Sequence, residues 1–535
     1  MFFGGKVAYQ RALADTALAV VDGRIAAIGS DAEVSALVGP QTRRINLAGR
    51  TLLPGFQDAH VHPPIGGLAM LRCNLHGIRG VDAVVAAISR YAELHPELPW
   101  VVGSGWESLD FDLGCPSKGL LDRVVPDRPA FLISTGGHDA WVNSRALAVA
   151  GIKGDTPDPP HGRIERLADN DPQGTLHEAA VGLVEARLPQ TTRGEYEEAI
   201  LAAQTHLHRF GITSWQDAWT TRETLGAYRA LAERGSLTAR VTAALWWERS
   251  QGREQMDWFR EARATCAVGR LKATSVKIMQ DGTTGNHSAA LLTPYLEASG
   301  LPGDDLGMSF VEPTELSHHV AELDGDGFQV HFHAIGERAV REALDALEFA
   351  RSVNPPHDNR HHIAHVCLVH PDDIGRFAAL DVTANIQPLW AVDGEEMRTE
   401  TTYLGDERLG WWYPFSSIQR AGGRLAGGSD WPVSSADPFE LIQVAATRVD
   451  PLTPEVLSFL PHERLDLGSA FEAFTAGSAF LNHQDDTGSI ALGNLADLVV
   501  ADLPPDLQPL GLAESRVLMT VVEGEVVYVE EGVDW

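Results

Sequence analysis

Eight short apolar runs, each closing on polar residues or turn formers, punctuate the middle of the chain. They are GFQDAHVH (55–62), GITSWQDA (211–218), VTAALWW (241–247), TSVKIMQDG (274–282), FQVHFHAIG (328–336), HHIAHV (361–366), VTANIQP (382–388) and GRLAGGSDWP (423–432). Helix-forming stretches lie between the later runs, at 337–352, 371–380 and 412–421. A strand covered on both faces reads as a near-continuous apolar run, and strand–helix alternation calls for a parallel sheet. Eight such repeats predict a closed (β/α)8 TIM barrel.

The gap between the first two runs, 63–210, is too long for one helix. It holds two strand-like pieces of its own, WVVGSGW (100–106) and PAFLIST (129–135), and a Pro/Gly/Asp-rich stretch at 151–175 that reads as surface loop. It is read as an inserted subdomain that leaves the mouth of the first strand, where it is placed to act as a lid.

The chain ends have a different character. Residues 1–53 and 486–535 alternate short β-like runs with turns at Asp22-Gly23 and Glu523-Gly524. Termini commonly lie close together, so the two ends are expected to build one small β-sandwich. The expected domains are therefore 1–53 and 486–535 as the two parts of the sandwich, and 54–485 as the barrel.

Composition narrows the function classes. Of 535 residues, 44% are hydrophobic and 21% charged, a globular balance. Lys+Arg is 42 and Asp+Glu 73, a formal charge of −31, which disfavours nucleic acid and anionic membrane surfaces. Four cysteines without a C-x-x-C pair argue against a disulfide scaffold and a thiolate zinc site, and a reducing cytoplasm is the expectation. The start, MFFGGKVAYQRALAD, shows no signal-peptide pattern, and no apolar stretch is long enough to span a bilayer.

Metal-ligating residue types recur at one end of the runs. His60 and His62 end the first run with H-x-H spacing, which puts both imidazoles on one side of a strand. Lys277 lies in the fourth run, His333 ends the fifth, His365 the sixth and Asp430 the eighth. The C-terminal strand ends of a barrel converge on one mouth, so these six are candidate ligands of one metal centre. His331, two before His333, is a substrate contact or an alternative ligand. His206 and His208 share the H-x-H spacing but fall in a predicted helix, 194–209, where the two diverge. That pair is read as structural.

These segments resemble the amidohydrolase superfamily. LPGFQDAHVHP (53–63) is similar to its first-strand signature. VKIMQDGTTG (276–285), HAIGERAV (333–340), HHIAH (361–365) and GSDWPV (428–433) resemble its amidohydrolase-3 branch, which includes N-substituted formamide deformylases. GHDAWVNSRAL (137–147) and LGNLADLVVAD (492–502) extend the likeness to nearly the whole chain.

The resemblance implies that His60 and His62 hold a more buried divalent metal and His333 and His365 a second. It implies that Asp430 binds the first metal and handles the proton of the attacking water. Lys277 would carry a CO2-derived carboxylate bridging two ions; as a plain lysine it would leave one. Zinc is the metal expected, although His/Asp sites accept several. The branch often carries an arginine where this chain has Gly285-Asn286-His287, so His287 stands as the candidate substrate contact there. Trp390, Trp431 and Trp106 are further candidates, suggesting an aromatic pocket.

The expected reaction is metal-assisted hydrolysis of a non-peptide C–N bond in a small, aromatic N-substituted amide. The alternatives are a deaminase or cyclic amidohydrolase, and a barrel scaffold without catalysis. A serine hydrolase is disfavoured because no G-x-S-x-G occurs, and neither a P-loop nor a dinucleotide-binding loop is present. A homodimer is the default closed assembly.

Overall fold

The computed structural model describes all residues except 10, 11, 161, 297–302, 454, 456, 505, 506 and 534. The chain divides into two compact units, Met1–His62 with Ala203–Trp535, and Pro63–Ala202.

The first unit contains an eight-stranded parallel sheet in sequential order. Its strands are β1 (Phe56–Val61), β2 (Ile212–Thr220), β3 (Arg240–Trp246), β4 (Leu271–Met279), β5 (Gln329–Ala334), β6 (His362–His365), β7 (Thr383–Ile386) and β8 (Arg424–Gly427). All eight coincide with the apolar runs. Beyond the last ladder, the Asp430 amide donates to the His60 carbonyl (2.8 Å) and the His62 amide to the Trp431 carbonyl (2.9 Å). These bonds join the ends of β8 and β1 and close the (β/α)8 barrel.

The helices between strands bury one stripe. In Glu337–Val353, the buried residues Ala339, Val340, Ala343, Leu344, Ala346, Leu347 and Ala350 recur at helical spacing. Helix Arg222–Glu233 opens on Thr221, whose hydroxyl accepts from the Thr224 amide. His206 and His208 do lie in a helix, Arg193–Arg209, and His208 donates and accepts locally with Ile212 and Thr238.

The two chain ends share sheets in the same unit. In a six-stranded sheet, Thr51–Pro54 pairs antiparallel with Leu498–Asp502, with Leu53 opposite Val499. A four-stranded sheet holds Phe2–Phe3, Ala17–Val21, Arg24–Gly29 and Ile45–Asn46. Phe2, Leu18 and Ile25 from one sheet and Leu52, Val500 and Met519 from the other bury into one core, which makes a sandwich. Its hairpins turn through Asp22 and Gly23 (φ 50° and 76°) and Glu523 and Gly524 (φ 50° and 79°), the paired positive φ of a tight two-residue turn.

The second unit is built on a mixed six-stranded sheet, in the order Gly162–Arg166, Pro172–Glu178, Asp139–Val142, Ala130–Ser134, Val101–Trp106, Cys73–Asn74. Residues 151–175 are not simply a surface loop. They contribute strand Gly162–Arg166 and the start of Pro172–Glu178, which pair antiparallel. Their Pro, Gly and Asp mark the turns around a short edge hairpin.

Candidate metal centre

The barrel register places the candidate ligands on adjoining rungs. Lys277 on β4 lies opposite His331 on β5, which lies opposite His362 on β6. His60 and His62 end β1, His365 ends β6, and Asp430 follows β8. Asp430 Oδ1 is 3.1 Å from His60 Nε2 and 2.9 Å from His62 Nε2. Ligand atoms of His60, His365 and Asp430 lie within 4.8 Å of one another, and all three residues are buried. The His333 and His365 rings are 4.5 Å apart.

Two of these residues sit in left-handed backbone conformations, His365 (φ 76°) and Asp430 (φ 59°). Non-glycine residues adopt this region at a cost of about 1–2 kcal/mol. Gln387 Oε1 holds the His365 amide (2.9 Å), as the His60 carbonyl holds that of Asp430. Strain of this kind persists where surrounding contacts over-determine it, and it clusters at functional sites.

The electrostatics suit metal ligation. Burial, followed by the Lys277 charge, lowers the His60 pKa to about 3. Burial also holds His365, His331 and His362 well below the usual imidazole range, so their rings are neutral. Burial alone would raise Asp430, but His60 and His62 more than offset it and hold the carboxyl well below its usual range. Burial lowers Lys277 to about 7, with Asp430 opposing. The centre therefore offers neutral imidazoles, an ionised carboxylate and an amine close to neutrality.

Supporting residues went unrecognised in the sequence. Gln216 Oε1 accepts from His331 Nδ1 (2.7 Å) and His362 Nε2 (3.0 Å), which turns His331 Nε2 toward His60 Nδ1 (2.8 Å) and Lys277 Nζ (3.4 Å). His331 is thus fully buried among protein groups. Asp281 Oδ1 lies 3.2 Å from His333 Nδ1, and its carboxylate accepts the amides of Ile335, Gly336 and Ala290. Asp58 Oδ1 accepts the amides of His60 (3.1 Å) and Ser429 (3.0 Å). The only sequence hint was position: Asp58 and Asp281 lie within motifs already singled out.

The aromatic candidates separate. Trp390 stacks on His365 (5.0 Å between centroids, 13° between planes). Trp219, which stacks on Trp246, turns its edge to His62. Trp431 stacks instead on His206 (4.8 Å). His287 packs against Tyr295 and Tyr403. Trp106 is wholly buried in the core of the second unit, where Nε1 donates to the Leu132 carbonyl and the ring meets Phe111 and Trp141.

The donor set passes a test of fit for a divalent metal. Tetrahedral zinc with bonds of roughly 2.0–2.1 Å places its N and O ligands ~3.3 Å apart. The Asp430–His60 and Asp430–His62 separations are within a few tenths of an ångström of that. The buried Nδ1 atoms of His62 and His365 have no hydrogen-bond partner among the described residues.

A closed (β/α)8 barrel with imidazoles, a lysine and a carboxylate gathered at the C-terminal strand ends defines a hydrolase of the metal-dependent barrel type. The profile of the amidohydrolase family matches residues 43–528, so the chain belongs to that family and is a hydrolase acting on carbon–nitrogen bonds. It is 29% identical to Protein LONG AFTER FAR-RED 3 of Arabidopsis thaliana, over 96% of this chain and 88% of that protein. It is 26% identical to N-substituted formamide deformylase of Arthrobacter pascens, over 96% and 95%. Its fold is similar to that of an uncharacterized metal-dependent hydrolase from Pyrococcus furiosus, with TM-score 0.73 and 24% identity over 95% of this chain and 99% of that one.

Proposed function

We propose that His60, His62, Lys277, His333, His365 and Asp430 hold a divalent-metal centre, with zinc best suited, and that the chain hydrolyses a small, aromatic N-substituted amide. The observation that carries this reading is the sharing of Asp430 Oδ1 between the Nε2 atoms of His60 and His62. The likeness to the Arthrobacter deformylase supports the substrate class.

A metal held there would bring the pKa of a bound water to near 7 and polarise the amide carbonyl. Asp430, held ionised, takes the proton of the attacking water on a carboxylate oxygen and returns it to the leaving nitrogen. Lys277, whose amine burial brings to a pKa of about 7, can add CO2 as a carbamate with release of one proton, an anion that would supply oxygen ligands to a divalent metal. Asp281 lies beside His333, and Gln387 holds the backbone amide of His365. The faces and edges of Trp390 and Trp219 beside the imidazoles suit an aromatic acyl or amine group.

A cytoplasmic location belongs to the same reading, since all four cysteines are free thiols and suit a reducing compartment. Among the described residues, no helix is long and apolar enough to cross a membrane.

Metal content per chain, measured on protein purified without chelator and carrying Cys115→Ser so that an ion held through that thiol is not counted, tests the centre. About two ions support the Lys277-bridged form, about one leaves Lys277 as a plain amine, and none, with no uptake on addition, sinks the reading. Product analysis on N-substituted formamides then tests the chemistry. Formate with free amine is expected; no turnover of these, with ammonia released from an amino-substituted heterocycle, would point to deamination instead.

A further inference from the structure

A second cluster of ligating side chains lies wholly inside the second unit, on its mixed sheet. Strands Gly162–Arg166, Pro172–Glu178 and Asp139–Val142 are neighbours, and Asp139, His177 and Arg163 are in register across them. Glu165 stands at a register shift between Ile164 and Arg166, and its carboxylate reaches the His177 imidazole. Cys115 reaches the cluster from the loop before helix Lys118–Val124.

Two hydrogen bonds pin that loop to the sheet: Gln173 Nε2 donates to the Cys115 carbonyl (2.8 Å) and Thr175 Oγ1 to the Pro116 carbonyl (2.9 Å). Gln173, Thr175 and His177 alternate along one strand, so the strand that supplies the imidazole also positions the thiol. The backbone that carries Cys115 is therefore held against the sheet.

We infer that Cys115, Glu165 and His177 form a second divalent-metal site, suited to Zn2+, with Asp139 orienting the imidazole. Sγ of Cys115 lies 3.8 Å from His177 Nε2, and Glu165 Oε2 lies 3.4 Å from the same nitrogen. All three ligand atoms are within 4.8 Å of one another. Tetrahedral zinc with bonds of about 2.3 Å to sulfur and 2.0–2.2 Å to nitrogen and oxygen sets these separations at ~3.6 and ~3.4 Å. Both separations from His177 Nε2 are within a few tenths of an ångström of that arrangement.

Asp139 Oδ1 sits 2.6 Å from His177 Nδ1. A carboxylate there keeps the proton on Nδ1, presents the Nε2 lone pair and strengthens it as a donor. The thiolate favours zinc and other softer ions over magnesium or calcium. Three protein ligands leave a fourth position for water, and Cys115 and Glu165 are only partly buried, so solvent has access.

Two features compete with the ion. Arg163 Nη2 lies 3.4 Å from Glu165, but that side chain is exposed and can swing clear. Without metal the cluster holds an imidazolium. Burial lowers the His177 pKa, but hydrogen bonds to Asp139, Cys115 and Glu165 more than offset it and raise it to about 11. Metal binding therefore displaces the proton on His177 Nε2, and the ion would clamp the Cys115 loop to the edge hairpin.

The site differs from the barrel centre in having a sulfur ligand, which separates the two spectroscopically. The full chain is loaded with Co2+ and its near-ultraviolet absorption recorded. A thiolate-to-cobalt charge-transfer band is expected, and it should survive in a H60N/H62N variant that cripples the barrel centre. C115S should remove the band and lower bound cobalt by about one equivalent per chain. H177Q should do the same, with circular dichroism confirming that each variant is folded. An unchanged cobalt content in C115S, with no band lost, overturns the inference and leaves an ion-pair network. Rapid, His177-dependent alkylation of Cys115 that added Zn2+ does not slow overturns it as well, and would mark the thiol as a nucleophile.

Discussion

The amide of Asp430 donates to the carbonyl of His60 across 2.8 Å, and the Asp430 carboxylate meets the imidazole of the same residue at 3.1 Å. One residue therefore both closes the barrel and supplies the centre with its carboxylate. The backbone bond holds Asp430 at φ 59°, and the side chain is aimed by that strained backbone.

Asp430→Asn keeps the shape of the side chain and removes its capacity to accept a proton. We expect kcat to fall by about 10²- to 10⁴-fold with little change in melting temperature. Steady-state kinetics on whichever amide proves active, beside a thermal melt, checks this; a kcat within a factor of about three of the parent would remove Asp430 from proton transfer.

Lys277 gives the metal-free protein a pH dependence. Unfolded, the amine stays protonated to about pH 10.4, whereas burial makes it neutral above about 7 in the native chain. Between those values the unfolded state binds one more proton, so stability rises with pH, by up to about 1.4 kcal/mol per unit. Urea titrations of the chelated H177Q variant, which lacks the opposing proton that native His177 holds up to about pH 11, should show this slope from pH 7 to 10, and adding Lys277→Met should flatten it.

Asp58 is buried within β1 and accepts the amides of His60 and Ser429 and the Ser429 hydroxyl. Asp58→Ala strands all three donors. A loss of about 2–4 kcal/mol in unfolding free energy is expected, together with weaker metal retention because the His60 backbone loses its anchor. A loss below about 1 kcal/mol would show that water replaces the carboxylate there.

Trp390 lies flat against His365. With its opposite face against the substrate, Trp390→Ala should raise KM for aromatic amides about 3- to 10-fold while leaving aliphatic ones nearly unchanged. An equal rise for both classes would mean that the tryptophan only packs the histidine.

Much of the barrel was legible because each strand announces itself locally. An apolar run such as FQVHFHAIG needs only its own composition to be read as a strand, and all eight runs were found. The hairpins at Asp22-Gly23 and Glu523-Gly524 were legible for the same reason, since positive φ at both positions selects those residue types. The strand Gly162–Arg166 was missed because it is a short edge strand with a polar sequence, and its identity comes from pairing with residues 172–178.

The supporting shell was opaque for a different reason. Gln216 is one polar residue in a strand, and nothing near it in sequence says that it spans His331 and His362. Asp139, His177 and Cys115 likewise lie far apart along the chain and meet only through strand register and a pinned loop. Trp106 and Trp390 look alike as residues, yet one is spent on a core and the other lies against an imidazole.

By itself the sequence determined the eight barrel strands, the period-two placement of His60 and His62 and the family, because these depend on short-range backbone preferences and on residue order. The tertiary structure alone decided which groups meet. Barrel closure sets β1 beside β8 and so brings Asp430 to His60. The β4–β5–β6 register stacks Lys277, His331 and His362, and burial then shifts their proton affinities. Those are through-space effects that fall off over a few ångströms, and no separation along the chain encodes them.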